Sequence, residues 1–429
     1  MKVLWVSAAA TGPASRILGV EYKGSSGVWI QNIYEELKGL NDCELAYLCF
    51  SKAQRKNEIV FKKTGEGAAY CLKMPGVSLG RPAPDYLKNN VNLVLERVKP
   101  DIIHIWGTET CVQNVVAQCA PDIPKVVFLQ GIIGIHSRYG GGYLDGKEYR
   151  VKYGLKQWIR KTMKSSSFKK QAVFEAEEIR RCGNVIIDNE FSAAYCNSVD
   201  RRIKTYNYKL LPGKAFFEKK WRYDPGNPHT IFSIYGPNAD KGLHQLILAL
   251  GAVKKLFPDV RLILPGPFNI TDDGKLKDKT ALTPYEKLLS RMITDFGLSE
   301  NVFFTGKLSQ DQMAQKMTKA TIFVNPSIME VHAGSLREAM ACGMPCVSSF
   351  CGSVGEYIKE GENGFLYRYE EHEVLAEKII RLFNMGEDLS AIGENARDTI
   401  TAMRNINCSI DAIYSDIIKE SKTKNTLNG

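Results

Sequence analysis

Two glutamates, Glu330 and Glu338, are the residues of this chain best suited to chemistry; they stand eight positions apart with a Gly-Ser pair between them. The surrounding apolar residues predict a strand before Glu330 and a helix beginning at Ser335. Ser335 is a good N-cap residue, and a helix start offers unpaired backbone amides to an anion. Glu330 falls in the loop ahead of this helix, where an unpaired carboxylate serves no packing purpose. The segment therefore predicts a binding site for an anionic ligand.

Glu338 also has a purely structural interpretation. Ser335-x-x-Glu338 matches a capping box, in which the two side chains satisfy the first amides of a helix without any ligand. Taken alone, this pair favours the structural interpretation, whereas Glu330 in the preceding loop favours a binding site. Both interpretations remain open at the level of sequence.

The elements that position these residues follow a regular alternation of short apolar runs and helical patterns. Such an alternation predicts βαβ units and parallel sheets. In the first half, strands are predicted at 2–7, 44–50, 101–106 and 125–129, and helices at 28–40 and 86–98. In the second half, strands are predicted at 230–234, 260–264, 302–304, 321–325 and 345–348, and helices at 243–257, 313–319 and 335–342. The predicted fold class is α/β, with two doubly wound, Rossmann-like domains.

Two Pro/Gly clusters, at 212–213 and 225–228, predict a linker between the domains. We expect an N-terminal Rossmann-like domain over 1–215, a C-terminal one over 216–395, and C-terminal helices over 396–429 that pack back toward the N-terminal domain. The last helix is expected at 407–420, before a disordered tail at 421–429. Doubly wound sheets bind ligands at the carboxyl ends of their strands, so the predicted site is the cleft between the domains.

Composition limits the class of protein. Of 429 residues, 44% are hydrophobic and 24% charged, which is typical of a folded globular protein and excludes a disordered one. The 57 Lys and Arg against 47 Asp and Glu leave a net charge of +10, which favours anionic partners. No run of about 18 apolar residues occurs, so a membrane-spanning helix is excluded. The first ten residues superficially resemble a signal peptide, but their short apolar core and the following Gly-Pro favour a buried strand.

The cysteines and acidic pairs do not indicate a metal site. The 11 cysteines are scattered without a C-x-x-C pair, which favours reduced thiols in a cytoplasmic protein. The carboxylate pair Asp272-Asp273 lies in an insertion rich in Gly and Lys, which we interpret as a solvated loop. No metal ligand is therefore predicted.

The spacing Glu330-x7-Glu338, followed by Ala-Met-Ala-Cys-Gly-Met-Pro, resembles the E-x7-E signature of the family 4 retaining glycosyltransferases, whose two-domain architecture is called the GT-B fold. The other similar segments are Lys241-Gly242-Leu243, 296–298, 301–306, 352–358 and 362–366 in the second domain, and the glycine-rich turn at 24–29, which contains Gly27, in the first. The resemblance covers most of the chain and is more specific in the second domain.

The resemblance implies a nucleotide-sugar donor along the second domain, with its diphosphate near the Ser335 helix start. Lys241 would neutralise the leaving diphosphate, although a solvated lysine in a strand–helix loop is the alternative. Glu330 would hydrogen-bond the donor sugar and Glu338 the ribose hydroxyls. The further donor-binding positions are Gly236, Asn238, Lys307, Leu308, Gly334, Ser335 and Leu336, with Lys307 and Leu308 bordering the base.

Two positions depart from the family pattern. The loop from Gly236 to Lys241 contains no Arg, whereas many members carry a second cation there, so backbone amides near Gly236 or a cation from elsewhere must assist Lys241. Gln130 stands where many members have a histidine in the catalytic pocket; it can hydrogen-bond a sugar but cannot act as a base. His136 in the same loop could substitute for that histidine, or could be an ordinary surface residue.

Glu109 follows a predicted strand of the first domain, where it would either hold an acceptor hydroxyl or cap the next helix. Together with Gly27, Gln130 and His136 it forms the predicted acceptor side. In the retaining mechanism proposed for this family, a donor phosphate oxygen accepts the proton of the acceptor, and the protein positions the reactants and stabilises the diphosphate charge. No cofactor and no metal are expected.

A basic segment lies within the predicted N-terminal domain. Residues 149–173 contain no acidic residue and eight basic ones, with Leu155, Trp158, Ile159 and Met163 at helical spacing. A basic amphipathic helix at 150–170 suits an anionic membrane surface, and a solvated helix packed on the first domain is the alternative. A nucleic-acid partner is not expected, because no regularly spaced stacking aromatics accompany the basic run.

The resemblance therefore implies a retaining, metal-independent hexosyltransferase. The expected donor is a nucleotide-diphosphate sugar, with UDP favoured by family frequency, and the expected acceptor is a glycan or lipid-linked molecule in cell-surface polysaccharide biosynthesis. The expected location is the cytoplasm, with peripheral attachment at the inner face of the membrane. The alternatives are a catalytically inactive GT-B nucleotide- or glycan-binding subunit and a nucleotide-sugar epimerase. A dinucleotide oxidoreductase is disfavoured, because no G-x-G-x-x-G follows a predicted strand.

Overall fold

The computed structural model describes residues 1–20, 28–38, 43–139, 142, 144, 155–234, 236, 238–266, 282–405 and 409–428. The chain forms two compact units. The first comprises Met1–Arg138, Thr162–Leu210 and Asn407–Gly429, and the second comprises Tyr139–Lys161 and Leu211–Ile406. The domain limits at 215/216 and 395/396 stay predictions.

The first unit is built on a sheet of eight strands within the described residues. In chain order these are β1 Lys2–Ser7, β2 Glu44–Ser51, β3 Val60–Thr64, β4 Gly67–Lys73, β5 Ile102–Trp106, β6 Lys125–Phe128, β7 Asn184–Ile187 and β8 Lys204–Asn207. The spatial order is β3-β4-β2-β1-β5-β6-β7-β8, and only the β3–β4 hairpin is antiparallel. Strand β5 is buried along its whole length, as expected for a parallel strand covered on both faces.

Helices accompany this sheet in the βαβ manner. Their bounds are Pro13–Leu18, Val28–Lys38, Asp85–Val98, Cys111–Cys119, Ile133–Tyr139, Leu155–Cys182, Glu190–Val199 and Ile410–Asn428. The last of them returns to the first unit from the C-terminal end of the chain. Its Tyr414 is fully buried and accepts a hydrogen bond from Trp5 Nε1 at 3.1 Å, so the terminal helix completes the core around β1.

The second unit contains a fully parallel sheet of six strands in the part that the structure describes. The strands are β9 Thr230–Phe232, β10 Arg261–Pro265, β11 Val302–Gly306, β12 Ile322–Asn325, β13 Cys346–Ser349 and β14 Phe365–Tyr367. The helices are Lys214–Glu218, Leu243–Val253, Pro284–Asp295, Gln310–Met317, Gly334–Cys342, His372–Met385 and Leu389–Ala402. The spatial order is β11-β10-β9-β12-β13-β14. Strands β9 to β11 are added toward one edge of the sheet and β12 to β14 toward the other, so the neighbouring strands β9 and β12 form the topological switch point.

The predicted strands and helices are confirmed wherever the structure describes them, with ends that differ by a few residues. The predicted inward face of the helix at 243–257 is also confirmed, although the α-helix ends at Val253. The sequence analysis did not predict β3, β4, β7, β8 or β14; β3 is exposed along its length and therefore shows no alternation of apolar and polar residues. No helix among the described residues is long and apolar enough to cross a bilayer.

Two predictions about irregular segments are wrong. The segment between the Pro/Gly clusters is not a free linker, because it forms the helix Lys214–Glu218 and buries Phe216 and Trp221 in the core of the second unit. The predicted disordered tail is helical as far as Asn428.

Candidate functional site

The loops after β9 and β12 meet at the switch point of the second sheet. Because β9 and β12 are neighbouring parallel strands, their carboxyl ends lie side by side although distant in sequence. The backbone links the two loops directly, since the amide of Ile328 donates to the carbonyl of Asp240 at 2.9 Å. The predicted site residues Lys241 and Glu330 are thereby brought together.

Lys241 ends a single 3-10 turn, Ala239–Lys241, that precedes the helix Leu243–Val253. The turn closes at Gly242, which has a φ of 67°, a conformation that favours glycine. A Cβ atom at Gly242 would lie 1.7 Å from the carbonyl oxygen of Pro326 in the neighbouring loop. Only a glycine lets the two loops approach this closely.

Gly236 and Asn238 shape the same loop from its N-terminal side. A Cβ atom at Gly236 would lie 2.2 Å from Cγ of Lys241, so the bare backbone of Gly236 packs against the aliphatic stem of the lysine. Asn238 has an exposed side chain, and its carbonyl accepts a hydrogen bond from the amide of Lys241 at 3.2 Å. Gly236 thus supports Lys241 sterically, and Asn238 supports it through the backbone.

Lys241 and Glu330 form an ion pair, with Lys241 Nζ 2.7 Å from Glu330 Oε1. Their side chains are 38% and 15% exposed. Burial lowers the pKa of Lys241, but the carboxylates of Glu330 and Asp240 outweigh that effect and hold it above its ordinary value. The expectation of an unpaired carboxylate at Glu330 is therefore wrong, because a cation from the neighbouring loop pairs with it.

The main chain of Glu330 is also held. Its carbonyl accepts a hydrogen bond from the amide of Ser353 at 3.0 Å. Gly352 has a φ of 49°, and a Cβ atom there would lie 1.9 Å from this carbonyl oxygen. The loop after β13 therefore buttresses the loop that carries Glu330.

The helix after Glu330 begins one residue earlier than predicted, at Gly334, and its N-cap is Ala333 rather than Ser335. Ala333 is held in the left-handed conformation, with φ 45° and ψ 43°, and provides no side-chain hydrogen bond to the helix start. A residue with a Cβ atom in this conformation stores strain, which is often found at functional sites. Gly334 is exposed, and a Cβ atom there would meet nothing within 4 Å, so there is open space at the start of the helix.

The capping-box interpretation of Glu338 is wrong for the same reason. Ser335 lies inside the first turn and caps nothing, and no hydrogen bond to the Glu338 carboxylate is found among the described residues. Burial raises the pKa of Glu338 from 4.5 to about 7, with partial compensation from Arg337. A half-buried carboxyl group without a structural partner is suited to binding a ligand.

The remaining predicted donor positions differ in what they can contribute. Leu336 is 1% exposed in the core of the second unit, so it can reach a ligand only through its amide. Lys307 is exposed and Leu308 half-buried in the segment that follows β11. Because β11 lies at the far edge of the sheet from β12, these two residues stand apart from the ion pair.

Sequence reasoning missed Tyr369, which supports the Lys241 loop. Its hydroxyl lies 3.1 Å from the carbonyl of Gly142, 3.4 Å from that of Ala239 and 3.3 Å from Nε2 of His244. All of these residues belong to the second unit. Tyr369 follows a short edge strand far along the chain, and no local pattern connects it with Lys241.

In the first unit, the side chains of Glu109 and His136 both approach Gly131. A Cβ atom at Gly131 would lie 3.5 Å from Glu109 Oε1 and 3.9 Å from His136 Nε2. Glu109 does not cap the next helix, whose N-cap is Thr110; the nearby backbone amides of Glu109, Gly131 and Thr108 instead favour the charged form of its carboxylate and lower its pKa. Burial, and secondarily the charge of Glu175, raises the pKa of Glu109 to about 7.

Gln130 is half-buried beside Gly131 in the same loop. Gly27, Asp272 and Asp273 lie outside the described residues, as do the side chains of the basic segment as far as residue 164. The backbone of that segment is helical from Leu155, and Lys169 and Lys170 are exposed. In the part of the chain that the structure describes, no group of three or more His, Cys, Asp or Glu side chains could hold a metal ion.

Comparison with known proteins defines the class. The profile of the family described as "Glycosyl transferases group 1" matches residues 217–399, which include the Lys241 loop and both glutamates. Over 379 residues, the chain is 31% identical to the uncharacterized glycosyltransferase MJ1178 of Methanocaldococcus jannaschii, and the match covers 88% of this chain and 90% of that protein. The chain belongs to the group 1 glycosyltransferases.

Two further relatives match over part of their length. The N-acetyl-alpha-D-glucosaminyl L-malate synthase of Bacillus anthracis is 27% identical over 135 residues, which cover 31% of this chain and 35% of the relative. The sulfoquinovosyl transferase SQD2 of Arabidopsis thaliana is 24% identical over 362 residues, which cover 80% of this chain and 63% of the relative. The chain thus spans less than two thirds of the length of these two proteins.

Solved structures show the same fold. The sucrose-phosphate synthase of Thermosynechococcus elongatus superposes with a TM-score of 0.68 at 14% identity, covering 100% of this chain and 98% of that one. HepE of Anabaena, solved in complex with UDP, superposes with a TM-score of 0.60 at 18% identity and covers 99% and 100% of the two chains. The predicted GT-B fold, with two parallel-sheet α/β units, is confirmed.

Proposed function

We propose that this protein is a retaining glycosyltransferase of the family 4 type. It transfers a hexosyl-type sugar from a UDP-sugar to a glycan or lipid-linked acceptor in cell-surface polysaccharide biosynthesis. One observation carries the proposal: a lysine and a glutamate 2.7 Å apart lie at the switch point of a doubly wound sheet, and the helix that follows has no side-chain cap. Phosphate groups bind where a cation and free helix amides occur together.

The diphosphate of the donor would bind at the amides of Gly334, Ser335 and Leu336. These amides have no cap, and the helix dipole there favours negative charge. Lys241 supplies the cation that stabilises the diphosphate as it leaves, and the Gly236 backbone keeps its stem in place. Because the loop lacks an Arg, Lys241 is expected to contribute most of the positive charge from this loop.

Donor binding would rearrange the ion pair. In the unliganded protein Glu330 neutralises Lys241. A diphosphate competes for the ammonium group, which frees the Glu330 carboxylate to accept hydrogen bonds from the hydroxyls of the donor sugar. Glu338 then receives the ribose hydroxyls, with Lys307 and Leu308 nearer the base.

The chemistry requires no base from the protein in this proposal. A donor phosphate oxygen takes the proton of the attacking hydroxyl on the same face of the sugar, which leads to retention of configuration. The acceptor side is formed by Glu109, Gln130 and His136, and by Gly27 in the glycine-rich turn. No metal and no cofactor take part in the proposed reaction, because Lys241 and the helix amides stabilise the leaving group.

The choice of UDP is supported by HepE, which was solved in complex with UDP. Calorimetry with UDP and GDP tests this choice. We expect UDP to bind more tightly and to raise the melting temperature, since a ligand at 100 times its dissociation constant stabilises a protein by about 2.7 kcal/mol. Tighter binding of GDP would overturn the choice of base, and binding of neither would overturn the proposal.

Hydrolysis of UDP-α-glucose tests the reaction itself. With water as the acceptor, a retaining enzyme releases α-glucose first, which proton NMR detects before the anomers equilibrate. Initial release of β-glucose would contradict retention. UDP binding without any hydrolysis or transfer would favour a catalytically inactive nucleotide-binding subunit.

Peripheral attachment to the inner face of the membrane is proposed through residues 150–170. The support is the charge of this segment and the exposed Lys169 and Lys170 on its helix. Co-sedimentation with vesicles of anionic and of neutral phospholipid tests the attachment. Equal recovery with both kinds of vesicle would contradict an electrostatic membrane contact.

A further inference from the structure

A second group of buried polar contacts surrounds the carboxylate of Glu175, in the helix Leu155–Cys182. This side chain is fully buried, and four donors surround it. Oε2 accepts from the Thr108 hydroxyl at 2.6 Å and the Ile133 amide at 2.9 Å, and Oε1 accepts from the Gly134 amide at 2.9 Å and the Tyr195 hydroxyl at 2.6 Å. Burial of a carboxylate is unfavourable unless such donors replace water.

Three of the four donors belong to the two segments that form the proposed acceptor side, and the fourth, Tyr195, lies in the helix Glu190–Val199. Thr108 immediately precedes Glu109, and Ile133 and Gly134 open the helix Ile133–Tyr139 that carries His136. The first amides of a helix have no partner within it, and a carboxylate at that end also interacts favourably with the helix dipole. Glu175 therefore caps this helix from a different part of the chain.

Gln171, one turn before Glu175 on the same helix, holds Thr108 from its other side. Its Nε2 donates to the Thr108 carbonyl at 2.9 Å, while Oε1 accepts from the Gly80 amide at 3.0 Å. Gln171 and Glu175 are both fully buried. The helix thus buries polar groups where apolar residues would pack at lower cost, and both Gln171 and Glu175 hold Thr108 at the end of β5.

We propose that Glu175 is a positioning residue that sets the relative placement of Glu109 and His136 around Gly131 for the acceptor. This inference rests on the proposed function only in that Glu109 and His136 are taken to face the acceptor. Glu175 touches no reacting group itself. It acts by joining the end of β5 to the start of the helix after β6. The positions of Glu109 and His136 depend on these two segments, because Glu109 follows the first and His136 lies in the second.

The test compares Glu175→Gln and Glu175→Asp with Glu177→Gln as the control. Gln places an amide NH2 where two donors point, and Asp keeps the charge but withdraws the carboxylate by one methylene group. Glu177 lies on the same helix, is partly exposed and pairs with Arg181 at 4.0 Å. The readout is the imidazole Cε1–H signal of His136 in a proton–carbon correlation spectrum, assigned as the signal that is lost in His136→Gln.

We expect the His136 signal to move in both Glu175 variants and to stay in place in Glu177→Gln. The UDP dissociation constant should stay within about twofold of wild type in all three, because the donor residues belong to the second unit. An unmoved His136 signal in Glu175→Asp would overturn positioning by contact. The inference would also be overturned if the Glu175 variants that move the His136 signal weakened UDP binding as well.

If Glu175→Gln does not fold, Tyr195→Phe supplies the same comparison, because it removes one of the four donors and keeps the carboxylate. A small movement of the His136 signal is then expected, and none would overturn the inference. The NMR readout needs no substrate. Failure of the proposed function would appear as absence of both UDP and GDP binding in wild type, whereas failure of this inference appears as an unmoved His136 signal.

Discussion

At the scale of single residues, the Lys241–Glu330 ion pair is the part of the structure on which the proposed binding of a charged donor depends. Lys241 is 38% exposed, so a ligand can reach its ammonium group while Glu330 keeps it in place. A charge positioned in advance of the reaction needs little reorganisation when negative charge develops on a leaving group. In the proposed reaction, the pair would thus prepare Lys241 for transition-state stabilisation.

The first prediction concerns Lys241→Ala. We expect turnover with UDP-glucose to fall about a hundredfold, comparable to the loss of one oxyanion donor, and UDP affinity to fall much less. Steady-state kinetics and calorimetry separate these two effects. Lys316→Ala, at an exposed position, is the control and should resemble wild type. A raised Michaelis constant with unchanged turnover would identify Lys241 as a ground-state binder.

The second prediction concerns Glu338→Gln and its dependence on pH. Burial raises the pKa of Glu338 to about 7 in the folded protein, against 4.5 in the unfolded chain. The folded state therefore binds more protons in this interval, and the free energy of unfolding decreases as the pH rises from about 4.5 to 7. Gln carries no charge, so Glu338→Gln should melt close to wild type at pH 5 and a few degrees higher at pH 8.

The same substitution should weaken UDP binding by about 1–2 kcal/mol, because a charged acceptor for the ribose hydroxyls becomes neutral. Melting curves across pH and calorimetry with UDP provide the two measurements. Glu377→Gln, on the exposed side of the helix His372–Met385, is the control. Wild-type affinity in Glu338→Gln would remove Glu338 from the site.

At the scale of elements, the switch point between β9 and β12 matters more than any single helix. The two loops there are joined by the hydrogen bond from Ile328 to Asp240 and by the close approach of Gly242 to Pro326. Each loop carries one member of the ion pair. The geometry of the pair therefore depends on how tightly the loops pack.

The third prediction concerns Gly242→Ala. We expect UDP binding to weaken at least about tenfold, since the added methyl group must displace the Pro326 carbonyl and with it Lys241 or Glu330; tenfold corresponds to about 1.4 kcal/mol. Gly361→Ala is a matched control, because Gly361 also has a positive φ, of 77°, but a Cβ atom there meets nothing within 4 Å. An alanine in this left-handed conformation should lower the stability of the protein by about 1–2 kcal/mol and leave UDP binding intact. Equal effects of both changes on binding would contradict the steric argument.

At the scale of the whole molecule, the chain ends in the unit where it begins. The helix Ile410–Asn428 buries Ile410, Ile413, Tyr414 and Ile417 in the first unit. Lys204 of β8 pairs with Asp416 at 2.7 Å and also with Glu420. The first unit therefore depends on a segment that follows almost all of the second unit in the sequence.

The fourth prediction is that deletion of 409–429 prevents cooperative unfolding of the first unit. Each of the four buried side chains contributes about 1.5–3 kcal/mol, and together they approach the whole stability of a typical domain, about 5–15 kcal/mol. Differential scanning calorimetry measures the loss of this transition. Deletion of 423–429 leaves the buried residues and Glu420 in place and should melt like wild type. A cooperative first-unit transition in the longer deletion would contradict the role of this helix.

The sequence by itself determined the alternation of strands and helices and the loops that carry Lys241 and Glu330. Buried parallel strands need continuous apolar runs and packed helices need an apolar face, so both leave local patterns. The inward face at Leu243, Leu246, Ile247, Leu250 and Val253 was predictable for this reason. The candidate site followed from the loops at the strand ends and from the family resemblance.

The tertiary structure alone decided which groups meet. Lys241 and Glu330 are 89 residues apart, and Glu175 caps a helix whose first residues lie 41 and 42 positions before it. Local propensity favoured Ser335 as the N-cap, but the packing of the loops placed the helix start at a strained Ala333. Contacts between distant residues depend on sheet order and on close packing of the whole unit. No local pattern of residues encodes these two properties.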